Sequence, residues 1–498
     1  MELNQRKERL TSFSVKPAGT GKRSGVSGEV DFVWTVRQVV KATGGELLGG
    51  PGWLEFKDIS IDSRSLREGD LFLALAGDNF DGHDFLEAAL AKGAAGLVVS
   101  RSVRQDVDVP VIKVADTLEA LGMLASYRRQ LRPDLGVVAV TGSSGKTTVK
   151  EMCGQILLEE FGVLKTEGNL NNLVGLPLTL LKLDNSHDLA VLEMGMNHPG
   201  EIRRMAKIAD PDIACIHNIQ EAHLAGFDSI EGIGRAKEEL FEGSSSETRL
   251  CVNYDDERVR TLARKYPQRQ IAYGRHRKAE VRATHVRNLG EEGMAFTLHI
   301  GEEKRRLRLK FLGEHNVCNA LAAAAVSCAA GLRIDQIARR LEQCLPYNQR
   351  FGVDRAGRGV KIVDDCYNAN PSSMDAALNT LQSLRGNGKS VAVLGDMMEL
   401  GELAEHAHLR LGEKVACLGF DFLIAVGEFS VKTVEGALNG GMTMKQVIST
   451  SSSDDALVRL DDLYRSGEIA GGDWILIKGS RGMKMETIVE GLKERLAE

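Results

Sequence analysis

A chain of 498 residues, 43% hydrophobic and 27% charged, exceeds what one core serves and reads as a globular protein of two to four domains, of which three are expected. Its formal charge of −6 argues against a broad nucleic-acid surface, so an anionic ligand must meet a local positive site. Eight cysteines lie scattered without a C-x-x-C pair or clustered histidine, which fits a reduced, cytoplasmic setting without structural zinc. The longest apolar stretch, Ala320 to Ala330, falls short of the ~20 residues a membrane span needs.

Residues 1–33 mix basic and acidic side chains with Gly and Ser and lack the apolar centre of a signal peptide, so a disordered leader is expected. From Trp34 the stretches DISIDS, DLFLAL, AAGLVVS and VPVIKV predict a small α/β domain over 34–133. A second unit over 134–348 opens on the apolar strand GVVAV and continues through DLAVLEM, IACIHNI and RLCVNY, which predicts a mostly parallel, doubly wound sheet. Between 280 and 312 the short strands VRATHVRN, MAFTLHI and RRLRLKF predict an antiparallel extension, and the helix of ALAAAAVSCAAGL follows. A third, Rossmann-like α/β series over 349–498 carries VKIVDD, SVAVLGD, FLIAVGE and DWILIKG, separated by helical segments such as PSSMDAALNTLQSL.

Gly142, Ser143, Ser144, Gly145, Lys146, Thr147 and Thr148 sit between the strand GVVAV and a helix, the context of a nucleotide-phosphate loop. Glycines let backbone N–H groups converge on phosphate oxygens, the helix N-terminus adds its positive end, Lys146 supplies a mobile charge, and Thr147 offers a hydroxyl to Mg²⁺. Val140 stands where the usual pattern has its first glycine, so this is a shortened variant. The competing reading is a glycine-rich turn without a ligand.

That variant loop resembles the loop of the Mur ligase family, and further motifs follow in the family's order over residues 34–498: TEGNLNNLVGLPLTLL (166–181), EMGMNHPGEI (193–202), AHLAGF (222–227), RAKEELF (235–241), LGEHNVCNALAAAA (312–325), DDCYNANPSSM (364–374), LGDMMELG (394–401) and KGSRGMKME (478–486). The resemblance implies an ATP-dependent, amide-forming ligase with an acyl-phosphate intermediate, working with Mg²⁺ in peptidoglycan precursor synthesis. The Y-N-A-N-P element points to the type that joins D-alanyl-D-alanine to a UDP-linked muramoyl-tripeptide, and the D-N-P-R hallmark of the type adding the third residue is missing. It implies these two substrates as the partners, with no nucleic acid and no membrane, and a monomer is expected. Two rivals remain: another Mur or folylpolyglutamate-type ligase with a different acceptor, and a nucleotide-switched binding protein, whose GTP form would want a D-x-x-G or N-K-x-D guanine motif accompanying the phosphate loop, and none accompanies it.

Residue roles carry over from the family position by position. Glu193 and His223 are implied as metal-site residues, although a strand-end carboxylate also serves as a solvated or capping group, and Mg²⁺ favours oxygen over imidazole. Lys237, otherwise one more helix lysine, would carry a carbamate from CO₂ and become a second carboxylate-like ligand. That reaction needs a neutral amine, hence a pKa lowered from ~10.4 by desolvation or nearby cations. Asn316 and Asn319 can read an adenine edge or simply cap and pack a helix. Asp364 is implied for the ribose, with Asp365 an equal alternative, and Arg350 for the phosphates; Gln349 stands before it where a small or apolar residue is expected. Tyr367, Asn368 and Asn370 would contact dipeptide or nucleotide, or form turn chemistry before Pro371. Lys478 and Arg481 are candidates for the dipeptide carboxylate or a solvated basic turn. Asn169 and Asn172 belong to the substrate-binding set, as do Ser63, Arg64, Asp81 and His83 for the UDP end, where strand-end capping is the plainer alternative.

Overall fold

The computed structural model describes residues 32–496 apart from 78–79, 103–106, 222–225, 228, 348 and 358. The leader expected over 1–33 lies almost wholly outside these residues. Three main sheets follow one another along the chain, each fed by short strands with helical connections.

The first sheet runs in the order Glu46–Gly49, Val111–Lys113, Gly96–Val99, Leu71–Leu73, Ile59–Ser60, parallel except for its antiparallel first strand. Its entry helix, Val36–Thr43, is set by a capping box between Thr35 and Gln38 and ends on Gly44 in the left-handed region. The last helix of this segment, Thr117–Gln130, packs on the central helices Gly175–Leu181 and Glu201–Ala209. At Gly122 a Cβ would lie 2.8 Å from Ile208 Cδ1, so the bare backbone permits that close approach. One apolar core consequently runs without a break from Leu71, Leu73 and Ile112 through Leu121 and Leu124 to Leu180 and Met205.

Nine strands form the central sheet. Its parallel part orders Val163–Lys165, Leu189–Glu193, Gly136–Thr141, Ile213–Ile216, Arg249–Asn253 and Gln270–Gly274. The extension expected near residue 280 continues the same sheet: Val281–Asn288 still pairs parallel with Gln270–Gly274, and only Met294–Ile300 and Glu303–Leu309 run antiparallel. Strands Gly136–Thr141 and Leu189–Glu193 are buried throughout, as central parallel strands covered on both faces must be. The Ala-rich helix Glu314–Ala329 fills one face; its small side chains let it lie close against the helix Lys146–Leu157 and several strands.

The third sheet orders Gly352–Ala356, Val360–Asp365, Trp474–Lys478, Ser390–Gly395, Phe422–Val426 and Val447–Thr450, parallel except for the first strand. Among the described residues no helix is long and apolar enough to cross a membrane.

Candidate active site

Three adjacent central strands end at the same edge, and their carboxyl ends build the site. Gly136–Thr141 leads into the phosphate loop, Leu189–Glu193 ends on Glu193 with Glu193 in register beside Val140, and Ile213–Ile216 leads to His217 and Asn218. Carboxyl ends of parallel strands are where doubly wound sheets present ligand groups.

The phosphate loop closes tightly. Gly145 takes φ 75° at the start of the helix Lys146–Leu157, and a Cβ there would lie 2.5 Å from Asn319 Oδ1 and 3.2 Å from the His217 ring. Only glycine meets both demands. The Ser143 and Ser144 N–H groups donate to Asn218 Oδ1 at 2.8 and 3.0 Å. Ser143 Oγ donates to the Gln220 carbonyl and Ser144 Oγ to Gln220 Oε1. Lys146 folds back, Nζ donating to the Gly142 carbonyl at 2.8 Å. Burial lowers its pKa, the Glu193 and Glu399 charges oppose that shift, and Arg350 adds to it. This lysine therefore stands between a carboxylate and a guanidinium, with a short swing to an incoming phosphate.

Glu193 is 2% exposed. Its N–H donates to Thr166 Oγ1 at 3.0 Å, and Oε1 accepts from Asn171 Nδ2 at 2.8 Å. Oε2 is buried with no hydrogen-bond partner. An orphaned carboxylate oxygen at a phosphate-binding loop is unfavourable as it stands and fits a cation. Among the described residues no group of three or more His, Cys, Asp or Glu side chains forms a metal cluster. His223 lies outside the described residues.

Lys237, on the helix Ile230–Glu242, is 1% exposed. Burial, followed by the positive charge of Lys146, holds its pKa well below the usual lysine range. Both influences that a neutral amine requires are present together.

A cavity of about 320 Å³ opens beside the loop between the central and third sheets. The central side supplies Ser144, Gly145, Thr148, Asn316 and Asn319; the other side supplies Arg350, Asp365, Ser373 and Lys478. Asn319 Nδ2 donates to Asn316 Oδ1 at 2.8 Å, and Asn316 Nδ2 to the Leu312 carbonyl at 2.8 Å, so both amides are held in fixed orientation. Arg350 Nη2 donates to Thr147 Oγ1 at 3.1 Å, and its guanidinium lies over the Tyr367 ring, 4.0 Å from the centroid. Gln349 and Phe351 take φ 58° and 56° on either side of Arg350.

The other candidates fall in different settings, and two open alternatives separate. Asp365, not Asp364, faces the cavity, where it pairs with Lys478 at 2.7 Å and accepts the Phe351 N–H. Asp364 instead accepts the Cys366 N–H, because neighbours on a strand point to opposite faces. Lys478 lines the cavity and is held there by Asp365 and the Asn368 carbonyl. Arg481 is exposed and bonded to Glu486 and Gln349. Asn370 is the N-cap of the helix Pro371–Leu384, in a capping box with Ser373, and Asn368 Oδ1 accepts the Ala369 N–H; here turn chemistry accounts for both. Asn172 caps the helix Gly175–Leu181 by accepting the Val174 and Gly175 N–H groups, Asn169 offers its carbonyl to the Asn171 N–H, and Asn171 is the residue that reaches Glu193. In the first domain Asp81 binds the ring and N–H of His83, whose Nε2 accepts the Ser100 N–H. This pair braces a turn. Arg64 is exposed and forked onto Asp62, with Ser63 between them.

Sequence reasoning missed Asn171, His217 and Asn218, and left Asp364 and Asp365 as alternatives. Asn218 follows a strand that ends beside Glu193, so the strand-end rule that singled out Glu193 would have found it.

A strand-end phosphate loop, a buried carboxylate with one unsatisfied oxygen, and a polar-lined cavity shared by two α/β units define an ATP-using enzyme of the Mur ligase class. Residues 55–129 match the Mur ligase family catalytic domain, 140–327 the Mur ligase middle domain, and 349–481 the Mur ligase glutamate ligase domain. The chain belongs to the Mur ligase family. It is 37% identical over 465 residues to the UDP-N-acetylmuramoyl-tripeptide–D-alanyl-D-alanine ligase of Escherichia coli, covering 92% of this chain and 98% of that protein. The crystal structure of MurF from Acinetobacter baumannii superposes with a TM-score of 0.86 at 37% identity, covering 93% of this chain and all of the other. MurF from Thermotoga maritima, solved in complex with ADP, gives a TM-score of 0.78 at 29% identity over 88% of this chain and 97% of that one.

Proposed function

We propose that this chain joins D-alanyl-D-alanine to UDP-N-acetylmuramoyl-tripeptide, converting ATP to ADP and phosphate. The observation that carries the reading is the pairing of the phosphate loop with Glu193 Oε2, a buried carboxylate oxygen left without a partner beside Lys146. Identity of 37% along nearly the whole length of the Escherichia coli ligase supports the choice of substrates.

The substrate's terminal carboxylate attacks the γ-phosphorus of ATP, ADP leaves, and an acyl phosphate forms. The dipeptide amine then attacks the acyl carbon, phosphate departs with the bonding pair, and the amine proton is lost. The physical difficulty lies in bringing a carboxylate to a polyphosphate. Lys146, moved from the Gly142 carbonyl onto the phosphates, and Arg350, moved from Thr147, offset that charge inside a water-poor cleft. Asn316 and Asn319 orient the base, and Asp365, fixed by Lys478, accepts from the ribose. Magnesium, where bound, neutralises developing charge on the transferred phosphoryl group, and Thr147, Glu193, His223 and a carbamate on Lys237 are the residues to hold it. Ser63 and Arg64 serve the UDP end, and Tyr367 and Arg481 the dipeptide. The enzyme works as a monomer in the cytoplasm.

The assay combines protein, ATP, UDP-muramoyl-tripeptide and D-alanyl-D-alanine and measures phosphate. Release should require both cosubstrates; release with neither overturns the ligase reading, and a preference for glutamate in an acceptor panel overturns the substrate assignment. For Lys237, stripping CO₂ should lower the rate and bicarbonate restore it.

A further inference from the structure

We propose that Lys150 is a positioning residue for phosphoryl transfer, tying the phosphate-loop helix through Thr166 to the strand end that carries Glu193. The inference deepens the proposed function and rests on it.

Lys150 lies one turn beyond Lys146 on the same face of the helix Lys146–Leu157. It is 0% exposed and does not line the nucleotide cavity, so it meets no ligand. Its Nζ donates to the Thr166 carbonyl at 2.8 Å and to Glu151 Oε1. Thr166 is itself fully buried; its N–H donates to the Val191 carbonyl, and its Oγ1 accepts the Glu193 N–H at 3.0 Å. One short path thus runs from the helix that presents Lys146 to the backbone of the residue whose carboxylate oxygen lacks a partner. The Lys150 ammonium also lies 5.8 Å from the Tyr347 ring, three residues before Arg350.

Burying an ammonium carries a desolvation cost that Glu151, shared with Lys165, offsets. An apolar side chain of similar volume would serve the core at least as well. Buried ionic groups are best attested where they fix register, and here the register is that between phosphate loop and metal carboxylate. Partners that orient a ligand without touching the metal are typically worth 10- to 100-fold in affinity or activity, by general experience with outer-shell groups.

The test uses the full chain with ADP and Mn²⁺, reading bound Mn²⁺ by electron paramagnetic resonance, alongside kcat and the Mg²⁺ dependence of turnover. Lys150→Met and Thr166→Val should each weaken Mn²⁺ binding to the ADP complex by about tenfold and lower kcat similarly, and Lys150→Arg should recover part of both. Glu151→Gln, which disturbs the ion pair but leaves the Thr166 bond, should lower the melting temperature yet keep Mn²⁺ affinity within about twofold. A folded Lys150→Met with Mn²⁺ affinity like the parent's, or a Glu151→Gln loss as large as that of Lys150→Met, overturns the proposal. Should Lys150→Met fail to fold, an unchanged Mn²⁺ affinity in Thr166→Val overturns it. Failure of the parent chain to release phosphate with both cosubstrates is a separate result and removes the ligase reading instead.

Discussion

Replacing Gly145 with alanine tests whether the phosphate loop is built as described. Gly145 takes φ 75°, and a Cβ would lie 2.5 Å from Asn319 Oδ1. Placing an L-residue in the left-handed region costs roughly 1–2 kcal/mol. Relieving the overlap means moving Asn319, whose Nδ2 donates to Asn316 at 2.8 Å; losing one such bond costs about 1 kcal/mol. Together about 2–3 kcal/mol is lost from the arrangement that receives nucleotide, equivalent to roughly 30- to 150-fold in affinity at 1.4 kcal/mol per decade. Isothermal calorimetry with ADP and Mg²⁺ should therefore show that weakening, with far-UV circular dichroism unchanged. An affinity within threefold of the parent would refute the claim that this glycine holds loop and adenine amides in contact.

Glu193→Gln keeps the oxygen that Asn171 bonds but removes the charge, so phosphate release should fall by about 10²-fold or more; activity within threefold of the parent, measured on folded protein, takes Glu193 out of the centre. Asp365→Asn should raise the KM for ATP about tenfold, since it loses the ribose acceptor and loosens Lys478, whereas Asp364→Asn, which faces away from the cavity, should move it less than about twofold; equal effects would refute the strand-face assignment. Burial depresses the His217 pKa to about 4. With the folded value below the unfolded ~6.5, the unfolded chain binds more protons between these limits, so stability is intact above pH 6.5 and declines as pH falls toward 4. The loss reaches about 3 kcal/mol at pH 4, and His217→Asn should remove that part of the slope in urea titrations at pH 7, 5.5 and 4.5.

Strands and their order of appearance were legible because a buried parallel strand is an uninterrupted apolar run: GVVAV, DLAVLEM and DWILIKG became Gly136–Thr141, Leu189–Glu193 and Trp474–Lys478. Phosphate loop and Glu193 were legible for the same reason, since each sits where such a run stops. What pattern could not resolve was the face of a residue pair. Asp364 and Asp365 differ by one position, and the pleat alone decides which meets the cavity. Asn169, Asn171 and Asn172 share one loop, and only its path shows that Asn171 turns to Glu193 while Asn172 caps a helix. Lys150 left no sequence signal, because a lysine inside an otherwise mixed helix looks exposed until its surroundings are known.

Both domain boundaries looked alike in sequence, yet the structure joins the domains in unlike ways. The first domain shares a continuous apolar core with the central one through the helix Thr117–Gln130, and separating them would expose that core. The third domain meets the central one through polar contacts, Arg350 on Thr147, Asn288 on Ser383, and Glu291 on both Arg355 and Lys361, and through Leu312, which joins its apolar core. Exposed ion pairs exchange with water at little cost, and polar interdomain interfaces are those that move. The polar part of the third domain's joint therefore separates at less cost than the apolar core that the first domain shares with the central one. Arg350, Asp365 and Lys478, which the third domain carries, line the cavity beside the phosphate loop together with Asn316 and Asn319 of the central domain, so the joint between these two domains passes through the site itself.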